Sequence, residues 1–175
     1  MTPSDDGSIA VRKSRLVVLL LMAVASLGLL VGWNMLTSGP ETVSQALSVL
    51  RRSDASFQTR DDAMVYLVER DDDSSVIQAI EMECRTSSDG AYVVQLFTVL
   101  TLADSSLSRE ALVRLMENEN ADLSVHAAFA LGQRGDPIAL PVLKAEEERA
   151  RRDGEWQRAQ EVQELIERLD GTQSD

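Results

Sequence analysis

Between Arg15 and Glu41 the chain carries no charged residue. The centre of that stretch, residues 16–36, reads LVVLLLMAVASLGLLVGWNML. Wound as a helix it spans roughly 31 Å at ~1.5 Å per residue, about the thickness of bilayer hydrocarbon. It is read as a single transmembrane helix. Arg12, Lys13 and Arg15 flank one side, and the other side has no basic residue until Arg51. Basic flanks stay inside, so residues 1–15 are expected in the cytoplasm and the rest extracytoplasmic, in the periplasm if the cell is bacterial. Trp33 and Asn34 suit the outer interface. Ala23-Val24-Ala25 offers a rival reading as a signal-peptide cleavage site, but the apolar run continues well past it, so an uncleaved signal-anchor is expected. No cysteine follows the run closely enough for a lipoprotein anchor. Gly28 and Gly32 form a G-x-x-x-G pair that would let two such helices pack as a homodimer. Glycine is common in membrane helices, so an unpaired helix is the alternative.

Beyond a linker and first helix at residues 37–56, apolar residues recur at three- and four-residue spacing, interrupted every 12–18 residues by turn groups. Helices are expected near 42–52, 57–70, 75–86, 91–103, 108–118 and 123–134, with further ones after Asp136 and at 155–169. Apolar residues make up 44% of the chain and aromatic residues 4%, with Leu, Val and Ala dominant. That mix favours an all-α fold over a sandwich or barrel. Cap chemistry sets the boundaries. Asp122 is expected to cap the 123–134 helix, Gly135 to end it, and Asp136 with Pro137 to start the next. Pro141 should cost that helix one hydrogen bond and bend it. Trp156, Ala159, Val162, Ile166 and Leu169 share one face of the last helix, as a terminal cap of a helical stack would need. Two internal parallels appear. Residues 62–70 resemble 110–118 in apolar placement, and 91–103 resembles 123–135 at a period near 32 residues.

The segment DLSVHAAFALGQRGDPIALPVL, residues 122–143, carries a resemblance. Asp122 and Leu123, then Ala127-Ala128-Phe129-Ala130-Leu131-Gly132, Gly135-Asp136 and Ala139-Leu140-Pro141-Val142-Leu143 resemble the HEAT-like repeat of phycocyanobilin-lyase-type proteins. Ser124 stands where that pattern has a basic residue. The resemblance implies a short right-handed solenoid of antiparallel helix pairs over residues 57–170, followed by a disordered tail at 171–175. It also implies a protein–protein interaction or scaffold role.

The chemistry-bearing residues are few. Net charge is −12, and the basic clusters are short and flanked by acids, so nucleic acid is not an expected ligand. Cys84 has no partner for a disulfide and is read as a buried helix residue. His126, the only histidine, lies inside a helix and is read as structural or surface-lying. Asp71-Asp72-Asp73 lacks the glycine and distal glutamate of a calcium loop and is read as a solvated turn with cap acids. Glu146-Glu147-Glu148 is read as a solvated face. No catalytic constellation, metal cluster or phosphate-binding loop is present, and neither catalysis nor a cofactor is expected. The expected function is a membrane-anchored scaffold that binds a protein partner through Arg109, Arg114, Glu117, Lys144 and Glu147. The alternatives are a structural subunit of a membrane complex dimerised through Gly28 and Gly32, and a lyase or chromophore-handling protein.

Overall fold

The computed structural model describes residues 39–172. The stretch read as a membrane anchor, with Gly28 and Gly32, lies outside the described residues. Among the described residues every regular element is helical, and no helix is long and apolar enough to cross a membrane. The helices are α1 (Val43–Arg51), α2 (Phe57–Val68), α3 (Ser74–Thr86), α4 (Gly90–Leu102), α5 (Ser106–Met116), α6 (Ala121–Gln133), α7 (Leu140–Asp153) and α8 (Trp156–Thr172). A single 3-10 turn, Pro137–Ala139, precedes α7.

Side-chain caps fix where each helix begins. Thr42, Ser56, Asp73, Asp89, Ser105, Asn120 and Asp136 each accept a backbone N–H from the turn that follows, satisfying donors a helix start leaves free. Two of these differ from the expectation. Asn120, not Asp122, caps α6, and Asp122 sits in its first turn, where its charge suits the helix dipole. Ser105 caps α5, which starts two residues before the expected Ser108. Pro141 falls in the first turn of α7, where no intrahelical N–H is required of it, so no hydrogen bond is lost. Gly135 (φ 77°) and Gly154 (φ 76°) take the left-handed conformation that turns the chain after α6 and α7.

The caps also expose a repeat. Thr42, Asp73, Ser105 and Asp136 follow one another at about 32 residues, and Ser56, Asp89 and Asn120 do likewise. From Ser56 and Asp73 onward, core positions at equal distances past the caps share one burial. Leu67, Leu100 and Leu131 match, as do Ala63, Leu96 and Ala127, and all six are fully buried. In the other set Val76, Ser108 and Ala139 match, as do Ile80, Leu112 and Leu143, and again all are fully buried.

Packing follows the register. Each odd helix packs on the even helix after it, α1 on α2 through α7 on α8. The even helices α2, α4, α6 and α8 also touch in turn, and α3 touches α5 on the other row. Of the two parallels seen in the sequence, 91–103 with 123–135 joins equivalent helices. The parallel of 62–70 with 110–118 joins α2 to α5, which lie in different rows. Any two amphipathic helices agree in part, and that agreement carried no register.

The core is Leu, Ile, Val and Ala, with Tyr92 and Phe97 from α4. At Gly132 a Cβ would lie 2.8 Å from Leu165 Cδ2 and 3.1 Å from Leu143 Cδ1, so α6 meets α7 and α8 closely there. Trp156, expected on the buried face of α8, is 70% exposed, and Leu165 takes part in the core instead. α8 extends to Thr172, beyond the boundary expected at residue 170.

Candidate interaction surface

The even row leaves one side of α2 and α4 uncovered, while α6 is only partly exposed there. On α4 that side carries no charge, because no residue from Gly90 to Leu102 is ionisable except the buried Tyr92. Ala91, Val94, Thr98 and Leu102 are exposed along it, Val94 to 47% and Leu102 to 62%. The cap register extends the band to both neighbours. Val65 on α2, Thr98 on α4 and Phe129 on α6 stand equally far past Ser56, Asp89 and Asn120. Val65 is 54% exposed, and Phe129 is half-buried beside the half-buried Val125. From the sequence alone, Val94 reads with Val93, Leu96, Phe97 and Leu100 on the core stripe of its helix. Tyr92 and Val99 are buried instead, and a helix apolar all round gives periodicity nothing with which to fix its rotation.

His126 lies at the edge of this band. Its Nδ1–H donates to the Asp122 carbonyl at 2.6 Å, and its ring stacks on Phe97 at 5.6 Å with the planes 21° apart. The imidazole thus ties α6 to α4. Among the described residues no group of three metal-ligating side chains gathers.

The residues first expected to bind a partner lie on the other row, on α5 and α7. Three of the five reach beyond their own helix. Arg109 bonds Asp136 at 2.5 Å, and Arg114 holds Glu81 of α3 at 2.8 Å. Lys144 pairs with Asp170 of α8 at 3.7 Å, and Glu147 with Arg151 at 2.5 Å. Glu117 is exposed at the C-terminal cap of α5. Burial opposes ionisation of Glu81, yet the hydrogen bonds from Arg114 and Arg85 hold its carboxyl below the usual range. Arg114 with Glu81 thus joins α5 to α3 in the odd row, Arg109 ties α5 to the cap that precedes α7, and Arg51 with Glu83 joins α1 to α3.

Glu146 was read as part of a solvated face, and it is only 4% exposed. Arg149 grips both its oxygens at 2.8 Å, and Arg158 of α8 binds it as well. The Arg149 hydrogen bond is the chief reason the Glu146 carboxyl titrates below its usual range, with Arg158 adding to it against the cost of burial. Arg158 also lies 5.6 Å over the Phe129 ring. Beside this trio a cleft of about 420 Å³ opens between the first turns of α6 and the second half of α7. Its arginines already have partners, because Arg149 also reaches Asp153 and Glu155. The cleft therefore holds a joint between α7 and α8, and it is lined as well by the exposed Arg152, which donates to the Glu148 carbonyl.

Cys84 is 1% exposed, and burial, reinforced by Glu81 and Glu83, pushes its thiol up to about 12. Asp71, expected in a solvated turn, accepts the Ser105 N–H at 2.8 Å, and its carbonyl accepts the Ser105 hydroxyl at 2.6 Å. It thereby links successive repeats. In comparisons with known proteins, the chain matches no family model, no curated protein and no solved structure.

Proposed function

We propose that the chain is a non-catalytic interaction module, a HEAT-like stack that holds a protein partner on the α2–α4–α6 face. Residues 16–36 tether it to a membrane, with residues 1–15 cytoplasmic and the stack extracytoplasmic. The observation that carries this reading is the uncharged band. In a chain of net charge −12, α4 alone among the described helices is left without charge, and it exposes Val94 and Leu102 to water between Val65 and Phe129. Contiguous exposed apolar surface of this kind marks interaction sites on soluble domains. Stacked helices hold such side chains in place before binding, so little conformational entropy is lost when a partner docks. The ion pairs of the odd row support that rigidity from behind.

Photoreactive residues placed at Val94, Thr98 or Leu102 of the full-length chain, in its native cells, should yield discrete protein adducts. The same substitutions at Glu117 or Lys144 on the other row should yield none. Adducts from the second set alone would move the surface to α5 and α7. The absence of adducts from both sets would reject the module.

A further inference from the structure

We propose that the α2–α4–α6 face receives a basic amphipathic helix laid across the three host helices. The inference rests on reading that face as a docking surface, and it names the occupant. Charge argues first. Exposed acids surround the uncharged band. Asp62 and Glu69 flank Val65 on α2, Asp122 lies on α6, and Asp89 and Asp104 stand at the two ends of α4. The guanidiniums at its edges are already engaged. Arg70 stacks on Tyr66 at 3.7 Å, donates to the Tyr66 carbonyl and lies 3.9 Å from Glu69 in an exposed pair, and Arg158 is bound to Glu146. An apolar strip between two acidic margins complements a helix whose apolar stripe runs between lysines and arginines.

Spacing argues second. Packed helices lie ~8–10 Å apart. Two turns of helix, about seven residues, advance about 10 Å. Apolar residues repeating every seventh position therefore meet Val65, Thr98 and Phe129 in turn, one anchor per host helix. An extended segment covers the same step in about three residues. Its side chains alternate between faces, so successive anchors would point away from the surface.

The test uses the full-length chain carrying a photoreactive residue at Thr98 and four synthetic biotinylated peptides. The first has leucine at every seventh position and lysines on both flanks of that stripe. The second replaces the lysines by glutamate, the third scrambles the order, and the fourth carries a central proline. The first should crosslink at micromolar concentration, and the other three should lose at least tenfold in yield. Leu102→Asp and the double variant Asp62→Lys/Glu69→Lys should each reduce capture of the first peptide at least tenfold with an unchanged melting temperature. Equal capture of the lysine and glutamate peptides would overturn the basic occupant and leave the docking surface standing. Equal capture of the proline peptide would overturn its helical form. Capture of none of the four would overturn the inference, while adducts from the band in native cells decide separately whether the face docks a protein.

Discussion

Glu146 occupies in α7 the cap-relative position held by the buried Leu115 in α5 and by the half-buried Glu83 in α3, so a charge is buried in α7 where α5 has a core leucine. Its partners Arg149 and Arg158 are each nearly half exposed, which weakens the pairing through solvent screening. Glu146→Ala removes the hub and leaves a gap, at an expected cost of about 1–3 kcal/mol. Glu146→Leu restores the shape found in α5 and frees two arginines into water, so it should cost less than the alanine variant. Chemical denaturation of the three proteins checks the order, and a leucine variant weaker than the alanine variant would refute it. The pH dependence has a definite sign. An unfolded glutamate titrates near 4.5, and the native Glu146 and Glu81 titrate lower. Between those values the unfolded chain binds more protons, so stability falls as pH drops below about 4.5. Part of that loss should vanish in Glu146→Leu, while Glu81 retains its share. Cys84 has the opposite character. With its thiol near 12 and buried, it should resist iodoacetamide at pH 8 in the native state and react at the rate the chain unfolds. Fast labelling without denaturant would show the α3 interface to be open.

Helices were legible in the sequence because their stripes and turn groups are local signals. The expected 57–70, 75–86, 91–103 and 108–118 fall on α2 to α5 within one to two residues at nearly every end. The rotation of α4 was not legible, because none of its 13 residues carries a charge that would contrast one face with the other. The burial of Glu146 was hidden for a different reason. Its counter-ions lie three and twelve residues away, and only the α7–α8 turn at Gly154 brings Arg158 to it. Gly132, in contrast, is a small residue inside an apolar helix, which is a local signal of close helix contact, and the contact is there. A methyl group there would lie 2.8 Å from Leu165 Cδ2 and 3.1 Å from its Cγ. Turning the leucine about its outer bond relieves only the first of these contacts, so the side chain must also change χ1 or the two helices must part by a few tenths of an ångström. Gly132→Ala gains up to about 1 kcal/mol in helix propensity and loses about 1–3 kcal/mol to overpacking. A net loss of stability is expected. Leu165→Ala in the same chain should relieve the clash, so the two substitutions together should cost less than the sum of each alone. A melting temperature raised by Gly132→Ala would show that α6 and α8 are packed more loosely than these distances state.

At the scale of the whole molecule, stability is set by repetition. Leu67, Leu100 and Leu131 perform one task in three successive even helices, and Asp71 with Ser105 and Arg134 with the Leu100 carbonyl tie one period to the next. In a stack of this kind each unit draws its stability from itself and its two neighbours. Removing one whole period should therefore leave every remaining helix in its proper row. Excision of residues 73–104 brings Ser105 to the position of Asp73, so a cap replaces a cap, and α2 meets α6 through Leu67 and Leu131. The pairs Arg51–Glu83 and Arg114–Glu81 are lost with α3. The shortened chain should remain helical and monodisperse and melt cooperatively several degrees lower. Excision of residues 73–88 removes only α3 and places Asp89 at the cap of Asp73. That shift puts α4, apolar on nearly all sides, into the outer row with half its surface uncovered. This chain should aggregate or lose its cooperative melt. Circular dichroism and size-exclusion chromatography on the two excised chains separate the outcomes. Equal behaviour of both would mean that the helices form a unique globule whose regular caps carry no modular energetics. The longer excision also removes Val94, Thr98 and Leu102, so the folded product should no longer capture the lysine peptide, separating the loss of the surface from the loss of the fold.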